Sequence, residues 1–180
     1  MKTNSFKLAC IMVLSISLLG LQAQTNKKGS TTASDTSALF LKIKGKFDKT
    51  VIDFNGIYTI KLIYNNKVVE EQTLKVSKPF AFHLSRNCFY AIRIEKDGYI
   101  PKIISISTIV PKSLGESESY TFTMSTNLLS NDLLGLFEDD SMDFPSAIIY
   151  YDKGNDSFEL NQKYTDALIN KMKSNLLVGL

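Results

Sequence analysis

The chain has no tryptophan, one histidine and two cysteines among its 180 residues. Each shortage removes a class of chemistry. Without tryptophan, the largest aromatic platform for stacking sugars or bases is missing. With His83, Cys10 and Cys88 as the whole soft-ligand set, a structural zinc site would need several carboxylates to complete four ligands. Charge is not one-sided either: 21 basic residues stand against 18 acidic ones. No basic stripe offers itself to a phosphate backbone, so nucleic acid is not an expected partner. Gly-x-Ser-x-Gly, a phosphate-cradling glycine loop and a dinucleotide fingerprint are all absent. No apolar run reaches the roughly 20 residues of a membrane-spanning helix.

The longest apolar run that does occur lies at the N-terminus. Lys2 and Lys7 precede Leu8–Leu21, a run of 14 residues. A positive start followed by an apolar stretch of that length marks a secretory leader. Polar residues follow at once, from Gln22 to Lys28, and Ala23 supplies a small residue at the cut, so residues 1–23 are expected to be removed. Leu8-Ala9-Cys10 has the look of a lipobox, but a lipidated cysteine ends its apolar run and this one is followed by Ile11–Leu21. Loss of the leader leaves Cys88 as the single cysteine and excludes an intramolecular disulfide. Stability then has to come from the core. It also leaves 19 basic residues against 18 acidic ones, close to neutrality.

Residues 24–37 are rich in Ser, Thr, Asn, Lys and Gly and have little to bury, which predicts a flexible linker. From residue 38 to 126 the pattern has a period of two. Leu39, Leu41 and Ile43 alternate with lysines; Tyr58, Ile60, Leu62 and Tyr64 form a second series. Asn65-Asn66 closes a hairpin onto the more polar Val68–Val76, the candidate edge strand, with Val68, Val69, Glu70 and Glu71 as its exposed residues. Phe80, Phe82 and Leu84 follow a proline that suits a strand start. Tyr90, Ile92 and Ile94 then meet Ile104 and Ile106 across Asp97-Gly98, the strongest short-range hairpin signal in the chain. Tyr120, Phe122 and Met124 make the seventh series. Seven short strands without a helical period predict a mostly β, seven-stranded Greek-key sandwich.

After residue 126 the pattern changes, predicting a small α/β appendage over residues 127–180. Leu128, Leu129, Leu133, Leu134 and Phe137 fit a short helix. Ala147–Tyr151 pairs with Phe158–Leu160 across Asp152-Lys153-Gly154-Asn155, and Asn161 caps a helix carrying Tyr164, Leu168 and Met172.

Few residues could carry chemistry. A turn at Arg86-Asn87 brings His83 and Cys88 near one another, as a nucleophile and base would need. No orienting group accompanies them, and the plainer reading is a solvated histidine and a small strand-start residue, so no catalytic residue is assigned. Two acidic groups, Glu138/Asp139/Asp140/Asp143 and Asp152/Asn155/Asp156, could offer oxygen to calcium but lack the spacing of a calcium loop. No metal or cofactor is expected. Most aromatics fall on core faces; Phe40, Tyr99, Tyr150 and Tyr151 are the candidate exceptions, and would serve a glycan-binding module. A small hydrolase with an unfamiliar site is the remaining alternative.

Phe80-Ala81-Phe82-His83-Leu84, Tyr90–Tyr99 and Lys102-Ile103-Ile104-Ser105-Ile106 together resemble the carboxypeptidase regulatory-like domain of exported bacterial proteins. The likeness covers Leu39 to Thr126. It implies a transthyretin-like, immunoglobulin-like sandwich that is non-catalytic and works as a folding aid, spacer or contact module. The leading expectation is therefore an exported protein, periplasmic, outer-membrane-associated or secreted, whose partner is another protein of the cell envelope.

Overall fold

The computed structural model describes residues 24–28, 40–48, 56–115, 118–132 and 144–178. The expected leader, the leucines and phenylalanine of 133–137 and the acidic group Glu138/Asp139/Asp140/Asp143 lie outside them. The described residues are mostly strand: β1 (Gln24–Lys28), β2 (Leu41–Phe47), β3 (Ile57–Tyr64), β4 (Lys67–Lys75), β5 (Phe80–Leu84), β6 (Phe89–Glu95), β7 (Lys102–Ser107), β8 (Ser119–Thr126), β9 (Ala147–Asp152) and β10 (Ser157–Leu160), then one helix, α1 (Gln162–Val178). They form two sheets, ordered β1-β8-β2-β5 and β10-β9-β7-β6-β3-β4.

Alternation explains why the sheets stack. Leu41, Ile43, Phe82, Leu84, Phe122 and Met124 from the first sheet share one apolar core with Ile60, Ile92, Ile94, Ile104 and Ile149 from the second, all at 1% exposure or less. Each such side chain contributes about 1.5–3 kcal/mol when it leaves water. The intervening residues, such as Lys42, Lys44, Thr121, Thr123 and Ser105, face outward and are partly or fully exposed.

Turn chemistry decides which strands stay within a sheet. Asn65 and Asn66 adopt φ of 50° and 59°, the left-handed pair that a two-residue hairpin turn demands. They fold β4 back on β3, with a register shift at Leu62/Ile63. The Asp97-Gly98 connection is wider than a two-residue turn. Gly98 alone has positive φ, at 79°, and the Tyr99 amide donates to the Lys96 carbonyl at 3.0 Å, the geometry of a type II turn.

Three expectations change. Gln24–Lys28, expected to be linker, pairs antiparallel with Ser119–Thr123 of β8; main-chain hydrogen bonds to an open sheet edge need no apolar side chains. The hairpin β9–β10, expected in an appendage, continues the second sheet, because β9 runs parallel to β7 with Ile104 opposite Ala147 and Ile106 opposite Ile149. Ala147, Ile149 and Phe158 are core residues. Finally, the seven strands β2 to β8 divide as β2, β5, β8 and β3, β4, β6, β7. An immunoglobulin constant domain instead places its first, second, fourth and fifth strands together. Here the tight connections β3–β4 and β6–β7 stay in one sheet, and the others cross.

The β2–β5 pair contains an unusually close approach. Gly45 lies opposite Phe80, and a Cβ added at Gly45 would fall among the ring atoms of Phe80, a residue 1% exposed. Gly45→Ala should therefore destabilise the fold by about 1–3 kcal/mol through overpacking. Gly45→Ala combined with Phe80→Leu should recover part of the loss. Urea unfolding of the single and double variants checks this, since recovery distinguishes a clash from a general loss of strand structure.

Candidate functional site

The expected site residues scatter rather than converge. His83, on β5 opposite Lys42, is exposed. Cys88 lies in the β5–β6 turn with its Sγ 3.4 Å from the Arg86 carbonyl and 3.9 Å from the Tyr64 hydroxyl. Among the described residues no hydrogen bond joins His83 to Cys88. What holds this turn is Thr108, which is fully buried. Its hydroxyl accepts the Cys88 amide at 2.9 Å and donates to the Ser85 carbonyl at 2.8 Å, with the Cys88 carbonyl at 3.0 Å. The Asn87 and Thr108 amides bond the Thr108 and Cys88 carbonyls in turn.

Of the candidate aromatics, Phe40 is a correction: it is 2% exposed and belongs to the core. Tyr120 and Phe158 pack edge-on to it at 5.5 and 5.7 Å, and the Arg86 guanidinium sits 4.6 Å above its ring. The residue before a strand reads as exposed by alternation alone; here the Phe40 amide bonds the Leu84 carbonyl and carries the β2–β5 ladder one residue further inward. Tyr151 also turns toward the core, 5.9 Å from Tyr120 and 5.7 Å from Phe158. Tyr150, its neighbour on β9, faces the other side of the sheet and is half-buried. Tyr99 lies at the β6–β7 turn, bridged to Ser130, with the Lys96 ammonium 4.2 Å from its ring. These four do not make one platform.

The Asp152/Asn155/Asp156 turn uses its oxygens internally. Asp152 accepts the Asn155 amide at 3.0 Å, and Asp156 accepts the hydroxyls of Tyr151 at 2.6 Å and Tyr120 at 2.8 Å. The Tyr120 hydroxyl is also 2.8 Å from a Glu118 carboxylate oxygen. Burial and these two carboxylates push the Tyr120 hydroxyl far above its ordinary range, and the Asp156 hydrogen bond raises Tyr151. Two carboxylates on one hydroxyl concentrate negative charge where the β9–β10 turn meets β8. Among the described residues no group of three or more His, Cys, Asp or Glu side chains could hold a metal ion.

The opposite edge is β4, last in the six-stranded sheet. Val68 and Val69 are 51% and 53% exposed, and Glu70 and Glu71 are exposed beside them. Register lines Val68 up with Ile63, and Ile63 with Ala91, on the outer face. Phe89, two residues from Ala91 and 67% exposed, extends this apolar strip. Further along the same face the surface is charged: Glu95 takes Lys61 and Arg93 at 2.6 Å each. The Lys61 hydrogen bond is the main reason the Glu95 carboxyl is held below its usual range.

Alternation alone gave Lys102 no special place, yet it faces inward. It shares a side of β7 with Ile104 and Ile106, and its ammonium reaches across to the Asn127 main-chain and side-chain oxygens at 3.3 and 3.4 Å. Both partners are neutral, so burial pushes Lys102 down to about 8. No family model matches the chain, and no curated protein does. Among the described residues no helix is long and apolar enough to cross a membrane.

Two expected outcomes follow from these polar groups. Thr108→Val keeps the shape but strands the Cys88 amide and the Ser85 carbonyl, so it should cost about 2–3 kcal/mol in denaturant unfolding, whereas Thr108→Ser should cost less. The folded protein favours the neutral form of Lys102. Its penalty is thus full below pH about 8, and stability rises from there toward the ordinary lysine range, where the unfolded chain holds more protons. Lys102→Met should be more stable near neutral pH, by at most about 3 kcal/mol. The difference between the two proteins should shrink as pH is raised from about 8 to about 10.5, which unfolding curves across that window measure.

Proposed function

We propose that the chain is an exported, non-catalytic β-sandwich protein that makes protein contacts in a bacterial cell envelope. The observation that carries this reading is the apolar strip Val68–Ile63–Ala91 with Phe89, lying beside the long edge strand β4. Exposed apolar patches of this kind, rimmed by charge, suit protein interfaces. The neighbouring edge can accept a partner's strand, with main-chain bonds giving affinity and alternate side chains giving selectivity. Glu70, Glu71 and the register shift at Leu62/Ile63 limit indiscriminate pairing at that edge.

Export rests on the pattern of residues 1–23, and the absence of any disulfide pair beyond them is answered by a core built across both sheets. The likeness of Leu39–Thr126 to the carboxypeptidase regulatory-like domain belongs to the same proposal. Its support is the strand placement: Phe80–Leu84, Phe89–Glu95 and Lys102–Ser107 are strands, and the Gly98-Tyr99 turn joins the last two.

The test is capture from intact host cells. A C-terminally tagged chain, cross-linked in place, should recover a near-stoichiometric envelope protein. Val68→Lys with Phe89→Lys should reduce that recovery about tenfold while changing stability by no more than about 0.5 kcal/mol, because both positions are exposed. Undiminished capture by the double variant would sink the strip as the contact surface.

A further inference from the structure

We propose that β4 is a self-complementary edge, on which two copies of this chain pair antiparallel about Thr73 and join their six-stranded sheets. This deepens the contact-module reading and rests on it: at this edge the partner strand is a second β4.

Alternation in the β3–β4 ladder decides which main-chain groups of β4 face outward. The Val76 amide bonds the Gly56 carbonyl at 3.0 Å, one position beyond the Ile57/Lys75 pair. In an antiparallel ladder every second pair exchanges its hydrogen bonds. Leu74 and Gln72 therefore point theirs at β3, while Lys75, Thr73 and Glu71 point theirs at the open edge, β4 being the last strand of its sheet. The same three residues lie opposite Ile57, Thr59 and Lys61 on the outer face and are exposed. Along that face the order is acid, hydroxyl, base. Lys61 gives its ammonium to Glu95 at 2.6 Å, and among the described residues no ion pair forms at Glu71 or Lys75.

A closed pair of identical strands has a two-fold axis, so that each contact occurs twice. With the axis at Thr73, Glu71 lies opposite the partner's Lys75, and Lys75 opposite the partner's Glu71. The two threonines exchange main-chain bonds, and the Lys75 amide donates to the facing Glu71 carbonyl at either end. The Lys75 carbonyl already accepts the Lys78 amide at 2.8 Å. Opposite charges directly across a ladder attract, and like charges repel. Neighbouring registers lose this match. An axis at Gln72 or Leu74 sets one of the charges against threonine, and an axis at Glu71 or Lys75 sets that residue against its own copy. The paired stretch is also bounded. The register shift at Leu62/Ile63 lies past Glu70 at one end, and the turn closed by Lys75 and Lys78 ends it at the other. Charge on an edge deters unrelated strands, and here a second copy is the strand that answers it. Val68 and Phe89 stay outside the paired stretch.

The test is sedimentation velocity of the full chain, purified from its host, over a concentration series, which should show a reversible monomer–dimer equilibrium. Glu71→Lys sets lysine against lysine at both ends of the pair, and Lys75→Glu sets glutamate against glutamate. Each should weaken the dimer about tenfold. An equimolar mixture of the two variants should dimerise about as tightly as the wild-type chain, because every lysine then meets a glutamate. The double variant, Glu71→Lys with Lys75→Glu, should do the same. Both positions are exposed, and a misfolded variant would not be rescued by mixing. Thr73→Pro removes an amide that faces the edge rather than β3, which an edge strand tolerates. It should abolish the dimer while leaving the circular dichroism spectrum unchanged. A wild-type chain that sediments as a monomer throughout, charge variants that dimerise unchanged, or a mixture no tighter than its components overturns the proposal. Val68→Lys with Phe89→Lys should leave dimerisation as it is. A monomeric chain that still captures its envelope partner therefore removes only this inference, and a dimer that captures nothing removes only the strip.

Discussion

Phe158 is the residue on which closure of this sandwich depends. It is fully buried and meets Phe40, Tyr120 and Tyr151 edge-on, with ring centroids 5.5 to 5.7 Å apart. Phe40 and Tyr120 belong to the first sheet; Phe158 and Tyr151 belong to the second. Edge-to-face packing places the positive rim of one ring on the negative face of the next, adding about 0.5–1.5 kcal/mol per pair to what burial provides. The cluster therefore joins the layers at the side where β8, β9 and β10 meet. The tyrosine hydroxyls then settle its polar side: both reach Asp156, whose left-handed backbone, at φ 47°, turns its carboxylate toward them. Packing and hydrogen bonding agree on one position for the hairpin.

The opposite side is joined by a different device. Gln72 on β4 donates to the Ala81 carbonyl on β5 at 2.9 Å and to Glu70 at 2.8 Å. A neutral amide spanning two sheet edges satisfies a carbonyl that would otherwise face water, yet supplies no apolar contact comparable to the aromatic cluster. One side of the sandwich is thus sealed by four rings and the other by a side-chain hydrogen bond. The softer side is the one that carries the exposed Val68, Val69 and Phe89.

Much of this was legible in the residues and some was not. Period-two alternation located every strand from β2 to β8, because a sheet with one buried face writes its pattern directly into the chain. Asn65-Asn66 announced its own turn, since few other pairs tolerate two left-handed residues, and Asn161 announced α1, where its side chain accepts the Tyr164 amide at 3.0 Å. Strand order left no such trace. The parallel pairing of β7 with β9 joins residues more than 40 positions apart, and only that pairing turns an appendage into sheet. The same blindness hid Asp156, which looked like one acid of a solvated turn, and Tyr120, which looked like core alone. Lys102 was hidden for a simpler reason: lysine at a strand start reads as a solvated end, and nothing local shows that it shares a side with Ile104.

The four sheet edges show how differently one molecule can treat the same hazard. An open edge is a row of unpaired amides and carbonyls, ready for any extended chain. β10 is placed beside β1 and β8 by the hairpin turn, and β5 is bridged by Gln72. β4 stays long and exposed but carries Glu70, Glu71 and a register shift, so a partner must answer both charge and shape. The fourth edge is β1, a short strand that pairs along five residues of β8. Of the four, β4 is the edge on which length and exposed charge coincide.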